Sequence, residues 1–204
     1  MIQNIGVSLL ISQLMMKKNN YINHSGGCIG ADMTWETEGL KYGVESISYS
    51  FHNHIQYSYN QKKLSTAELK EGWEHVMIAE KTLQRNFTIK ESFYVRNLVS
   101  RNWFQVKNAD AIMAVSAFED DSHVRVKGGT GWSVQMGIDN KKLIYFYDQE
   151  LCKWYWYDYN IDKFSELGGI PKLKENFAGI GSAKLNENGV KAIKDVYEAN
   201  LKYE

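Results

Sequence analysis

The chain has 204 residues, of which 44% are hydrophobic and 13% aromatic, enough for one domain with a sizeable core and too apolar for a disordered chain. Lys plus Arg and Asp plus Glu number 24 each, so the formal net charge is zero, which argues against affinity drawn from many backbone phosphates of a nucleic acid. The two cysteines, Cys28 and Cys152, make neither a disulfide framework nor a metal-ligand pattern, and a reducing cytoplasm is the simplest expected compartment.

In chain order, the apolar start "IGVSLLISQLMM" resembles a signal peptide only superficially: no basic residue precedes it, and Ser and Gln interrupt a run too short to span a bilayer. It predicts a packed helix over about residues 5–18. Tyr21 to His24 predicts a short strand leading into "SGGCIGAD", then a helix from Ala31 to Tyr42 that Gly43 ends. "VESISYSF" (Val44 to Phe51) alternates like a strand, and His52 to Leu64 reads as a polar loop. Ser65 opens a helix with the capping box "STAE", running to about Arg85.

A further helix, about Glu91 to Lys107, precedes "ADAIMAVSAF", a buried strand. The acidic run Glu119–Asp121 reads as a solvated tip before a second glycine loop, "KGGTGWSVQM", with helix expected from Gly131 to Asp139. "KLIYFYD" predicts a strand and "KWYWYD" an edge strand packing against another element or a subunit, the alternative being an aromatic run that stacks a base. "NFAGIGS" predicts another strand and Asn186 to Tyr203 a helix, so about residues 150–204 form a strand-helix extension of a single domain. Strands alternating with helices predict an α/β fold, its mostly parallel sheet flanked by helices on both faces, with ligands beyond the carboxyl ends of the strands.

Both glycine loops stand between a strand and a helix, where backbone N–H groups approach an anion without Cβ interference and the helix adds its positive end. In the first loop the candidate ligand residues are Ser25, Gly26, Gly27, Gly30 and Asp32, the last either capping the helix or accepting from a ribose hydroxyl. In the second they are Gly128, Gly129, Thr130 and Gly131, with Trp132 as a stacking face. Phosphate, ribose and base are the chemistry these parts suit, and the alternative is a pair of tight turns that bind nothing. Neither loop is a Walker motif or GxGxxG. His24 either touches a phosphate or caps its strand. His52 and His54 have zinc-chelating spacing but no neighbouring ligand, so no metal is expected. Nothing near Cys28 in sequence marks it as a nucleophile. Gly179, Gly181 and Ser182 either complete the pocket or turn the chain.

"SGGCIGAD", with "SRNWFQVKNADAIMAV" and "GGTGWSVQ" following in order, resembles the SLOG superfamily, Rossmann-like proteins named for the Smf/DprA and LOG families, over roughly Ile22 to Tyr147. The resemblance implies a nucleotide-derived ligand at the two loops, with Arg101 where LOG phosphoribohydrolases carry their helix arginine. Gln135 falls where their PGGxGTxxE motif has its glutamate, Asn102 replaces a lysine, and Lys127 replaces the proline. An amide supplies neither the charge nor the base that glycosidic cleavage uses.

The resemblance therefore implies a protein that holds an ADP-ribose-type signal without hydrolysing it. In a phage setting it would be a sponge in the host cytoplasm that blunts antiphage defence. The alternatives are a phosphoribohydrolase or N-glycosidase using Arg101 with a carboxylate such as Glu36 or Asp148, and a DprA-like single-strand DNA binder, which the zero net charge disfavours. No cofactor, no membrane partner and a homo-oligomer complete the expectations.

Overall fold

The computed structural model describes residues 19–85 and 92–201, so the helix expected over about residues 5–18 lies outside the described residues. The described chain contains eight strands: β1 (Ile22–Ser25), β2 (Glu45–Ser50), β3 (Gln61–Lys63), β4 (Ala111–Ser116), β5 (Leu143–Asp148), β6 (Lys153–Asp158), β7 (Lys163–Glu166) and β8 (Asn176–Gly181). Five helices accompany them: α1 (Ala31–Leu40), α2 (Thr66–Leu83), α3 (Phe93–Asn108), α4 (Gly128–Asp139) and α5 (Glu187–Leu201).

The strands form one sheet in the order β3-β2-β1-β8-β4-β5-β6-β7. The pairs from β3 through to β5 are parallel, and β5-β6 and β6-β7 are antiparallel. β4 is buried at every position, as "AIMAVS" requires of a strand covered on both faces. Ile112 and Ala114 face a core shared with α2, α3 and α4, while Met113 and Val115 face a second core with Trp35 of α1 and Ile193 and Tyr197 of α5. Helices thus cover both faces of a mostly parallel sheet.

The capping box at Ser65 is present: its hydroxyl accepts from Glu68 N–H at 3.2 Å and the Glu68 carboxylate accepts from Ser65 N–H at 2.7 Å. α2 and α3 cross closely at Gly72, where a Cβ would overlap the carbonyl of Ser100.

Four expectations need correction. The loop expected from His52 to Leu64 contains β3, whose residues are all exposed and so carry no apolar alternation. β6 is not an edge strand: β7, which only Phe164 anchors by burial, lies outside it, and Trp154, Tyr155 and Tyr157 are buried within the chain, not offered to a subunit. α4 begins at Gly128, not Gly131. β8 is no appendage but the central strand, filling the place between β1 and β4.

Candidate functional site

A cleft of ≈ 740 Å³ opens beyond the carboxyl ends of β1, β8, β4 and β5. Its walls are the Cys28 turn, Gly181 at the end of β8 with Ser182 after it, one side of α3 carrying Arg101, and the first residues of α4. Placing β8 between β1 and β4 is what brings Ser182 opposite the second glycine loop.

α4 supplies an uncapped helix end. Lys127, its N-cap, makes no side-chain cap hydrogen bond, and a Cβ at Gly128 or Gly129 would meet nothing within 4 Å. The first N–H groups of a helix have no intrahelical partner, and they carry partial positive charge. Gly128 has φ 66°, which glycine tolerates and side chains rarely do. The loop is held from behind by Arg85, whose guanidinium donates to Gly128 O at 2.8 Å and Val126 O at 2.7 Å and stacks on Trp132.

Arg101 reaches the cleft from α3 and is only 3% exposed. Its Nη1 donates to Gln105 Oε1 at 3.3 Å and its Nη2 to Cys28 Sγ at 3.2 Å, while its buried Nε has no hydrogen-bond partner. It forms no ion pair with a described carboxylate. A buried guanidinium with an unsatisfied donor beside a cleft is a costly arrangement that an anionic ligand relieves.

Asp32, in the first turn of α1, lines the same cleft. Its Oδ1 accepts from Gly181 N–H at 3.1 Å and its Oδ2 from Cys28 N–H at 3.4 Å. Burial pushes its carboxyl up to about 6, against the opposing pull of the Arg101 charge and the two N–H groups. Burial likewise raises the Cys28 thiol, which Arg101 only partly offsets.

Of the residues singled out in the sequence, Asp32, Arg101, Gly128, Gly129 and Thr130 meet in this cleft. The other candidate ligand residues, Ser25, Gly26, Gly27, Gly30, Gly131, Trp132 and Gln135, do not line it. Ser25 is fully buried and accepts from Gly27 N–H at 3.1 Å. A Cβ at Gly26 would overlap Arg101 Nη1 and lie 2.6 Å from Asp32 Oδ2, and one at Gly27 would overlap Gln56 and crowd Ser48. Gly30 packs on the Ser182–Ala183 backbone, against which Ala31 N–H donates to Ser182 O at 3.0 Å.

The first glycine loop therefore uses much of its freedom for close packing, with the N–H groups of Gly27, Cys28 and Ala31 already bonded within the chain. Gly131 is pressed against Val126 O and Arg85. Trp132 is a core side chain and offers no stacking face to the cleft. Gln135 points elsewhere on α4, donating to Asp139 Oδ1 at 2.8 Å.

Glu36 is buried beside Ser25 and Ser58, with its carboxyl raised by burial, and it does not line the cleft. Asp148 is occupied by the N–H groups of Phe118, Glu150 and Leu151. His24 is buried with its Nδ1 3.0 Å from Tyr49 Oη, away from the cleft. His54 stacks on Phe51, and no group of three His, Cys, Asp or Glu among the described residues is placed to hold a metal ion. Sequence reasoning missed Arg85, which no motif marks, and left open Gly181 and Ser182, which line the cleft.

No family model, curated protein or solved structure matches this chain. Among the described residues no helix is long and apolar enough to cross a membrane.

Proposed function

We propose that the chain is a SLOG-like, Rossmann-like protein that binds a nucleotide-derived small molecule of the ADP-ribose type in this cleft, holding its phosphate between the start of α4 and Arg101 and releasing it unchanged. The observation that carries this reading is the buried, incompletely bonded Arg101 beside the uncapped end of α4. The strand order supports the Rossmann-like part: β3-β2-β1 and β4-β5 flank a switch point, and β8 alone stands between them. In a phage setting such a binder would sequester a signalling nucleotide in the host cytoplasm. A homo-oligomer remains part of the proposal.

Asp32 favours a second reading. Gln135 lies outside the cleft, so its amide is no argument against chemistry there, and a buried carboxyl raised to about 6 beside an anion-binding arginine suits proton transfer in N-glycoside hydrolysis. One experiment separates the two. The purified protein is incubated with AMP, NAD and ADP-ribose, washed, heated and analysed by mass spectrometry. Intact nucleotide released only by heat supports the binder; free base with ribose phosphate makes it an enzyme; no retained or altered nucleotide removes both.

A further inference from the structure

Tyr, Phe and Trp make up 13% of this chain, yet none of the described residues lining the cleft is Phe, Tyr, Trp or His. Protein sites that hold a nucleobase commonly stack it on an aromatic ring. Trp132 is the ring nearest in sequence to the open loop, and it is turned into the core under Arg85. The apolar part of the cleft is aliphatic instead, from Leu98, Val99 and Ile180.

The polar part has two distinct ends. One is cationic, the N–H groups at Gly128 to Thr130 and the Lys127 side chain; Arg101 stands nearer the other, beside Asp32 over Gly26. The other is an acceptor: each oxygen of Asp32 takes one N–H and keeps a further lone pair free, while the carbonyl and hydroxyl of Ser182, which also lines the cleft, already accept from Ala31 N–H and Lys184 N–H. Phosphate oxygens are acceptors and are repelled by a carboxylate. Sugar hydroxyls donate to one.

We infer that the cleft recognises the phosphorylated sugar of its ligand, with phosphate on the α4 end and sugar hydroxyls on Asp32, and leaves the base outside. The inference rests on the phosphate site proposed above and adds which part of the ligand is read. Ligands that differ in base, or lack one, then bind alike.

Calorimetric titration of the intact chain with ribose 5-phosphate, AMP, UMP, adenosine and inorganic phosphate tests it. The expected result is that ribose 5-phosphate, AMP and UMP agree within about threefold, inorganic phosphate is weaker by about tenfold or more, and adenosine does not bind. Asp32→Asn should weaken ribose 5-phosphate by about tenfold and leave inorganic phosphate unchanged or tighter.

AMP binding more than about thirtyfold tighter than ribose 5-phosphate, or adenosine binding, would overturn the inference and leave the phosphate site standing. Equal losses for ribose 5-phosphate and inorganic phosphate in Asp32→Asn would remove Asp32 from the sugar site and overturn it as well. Failure of every phosphate compound to bind overturns both this inference and the phosphate site.

Discussion

At the scale of single residues, the cleft is organised by a carboxyl and a guanidinium packed over Gly26, with the Cys28 thiol accepting from the guanidinium. Arg101→Met removes the buried cation, and charged hydrogen bonds of this kind are worth about 1.5–3 kcal/mol, so affinity for ribose 5-phosphate should fall about 10- to 100-fold by calorimetry. Asp32 has the opposite character in the unliganded protein. Its folded-state value of about 6 lies above the unfolded 3.8, so the native state holds the extra proton between these values and stability falls as pH rises through that window.

The penalty for the ionised form is about 3 kcal/mol at most. Asp32→Asn, which loses one acceptor, should therefore raise stability at pH 7.5 by about 1–2 kcal/mol in urea melts, with the gain vanishing below about pH 4. A gain that persists at pH 3.5 would mean that the carboxyl is not the cause. His54 is pushed down to about 4 by burial, helped by the nearby Arg101 charge. Its imidazole signals in NMR should stay those of the neutral ring as pH falls past 6 to 5.

At the scale of elements, two contacts set the cleft's shape. Arg85 neutralises the carbonyls behind the α4 end, and Arg85→Ala should weaken inorganic phosphate binding by about tenfold while speeding hydrogen exchange at Gly129 to Gly131. Faster exchange without weaker binding would show that the loop is pinned for stability alone. Where α2 crosses α3, Gly72→Ala exchanges a poor helix former for the best one, a propensity gain of about 1 kcal/mol. The Cβ would nevertheless overlap the Ser100 carbonyl, so the variant should melt lower, with Arg101 displaced along with α3 and ligand affinity reduced.

The elements legible in the sequence are those whose burial leaves a pattern: the capped α2, β4 with five apolar residues of six, the alternating β2. β3 is three exposed residues paired along one side, and β7 rests on one buried Phe, so neither writes a period. The candidate site was legible as two loops and an arginine, because glycine after a strand is a local signal. Which faces of those loops are open was not. Trp132 and Gln135 share α4 with Thr130, but helical periodicity turns them from the cleft, and the tertiary contacts of Arg85 and Asp139 fix the direction.

At the scale of the whole molecule, the site depends on long-range pairing. β8 hydrogen-bonds both β1 and β4 in parallel register and carries Gly181 N–H to Asp32, some 150 residues away in sequence. A chain ending at Glu175 would lack the strand that unites the two halves of the sheet and the α5 face that covers Trp35. It should show helical far-UV dichroism with its near-UV aromatic signal lost, and bind dye as an open core does.

The central position of β8 also bears on how the protein is made. Seven of the described strands leave the ribosome before it, and until residue 181 emerges the inner edges of β1 and β4 stand unpaired, with apolar rows on either side. Such a nascent chain is prone to aggregate through its open strand edges, and slowing synthesis just before Asn176 should lower the yield of soluble protein more than slowing it after Leu201.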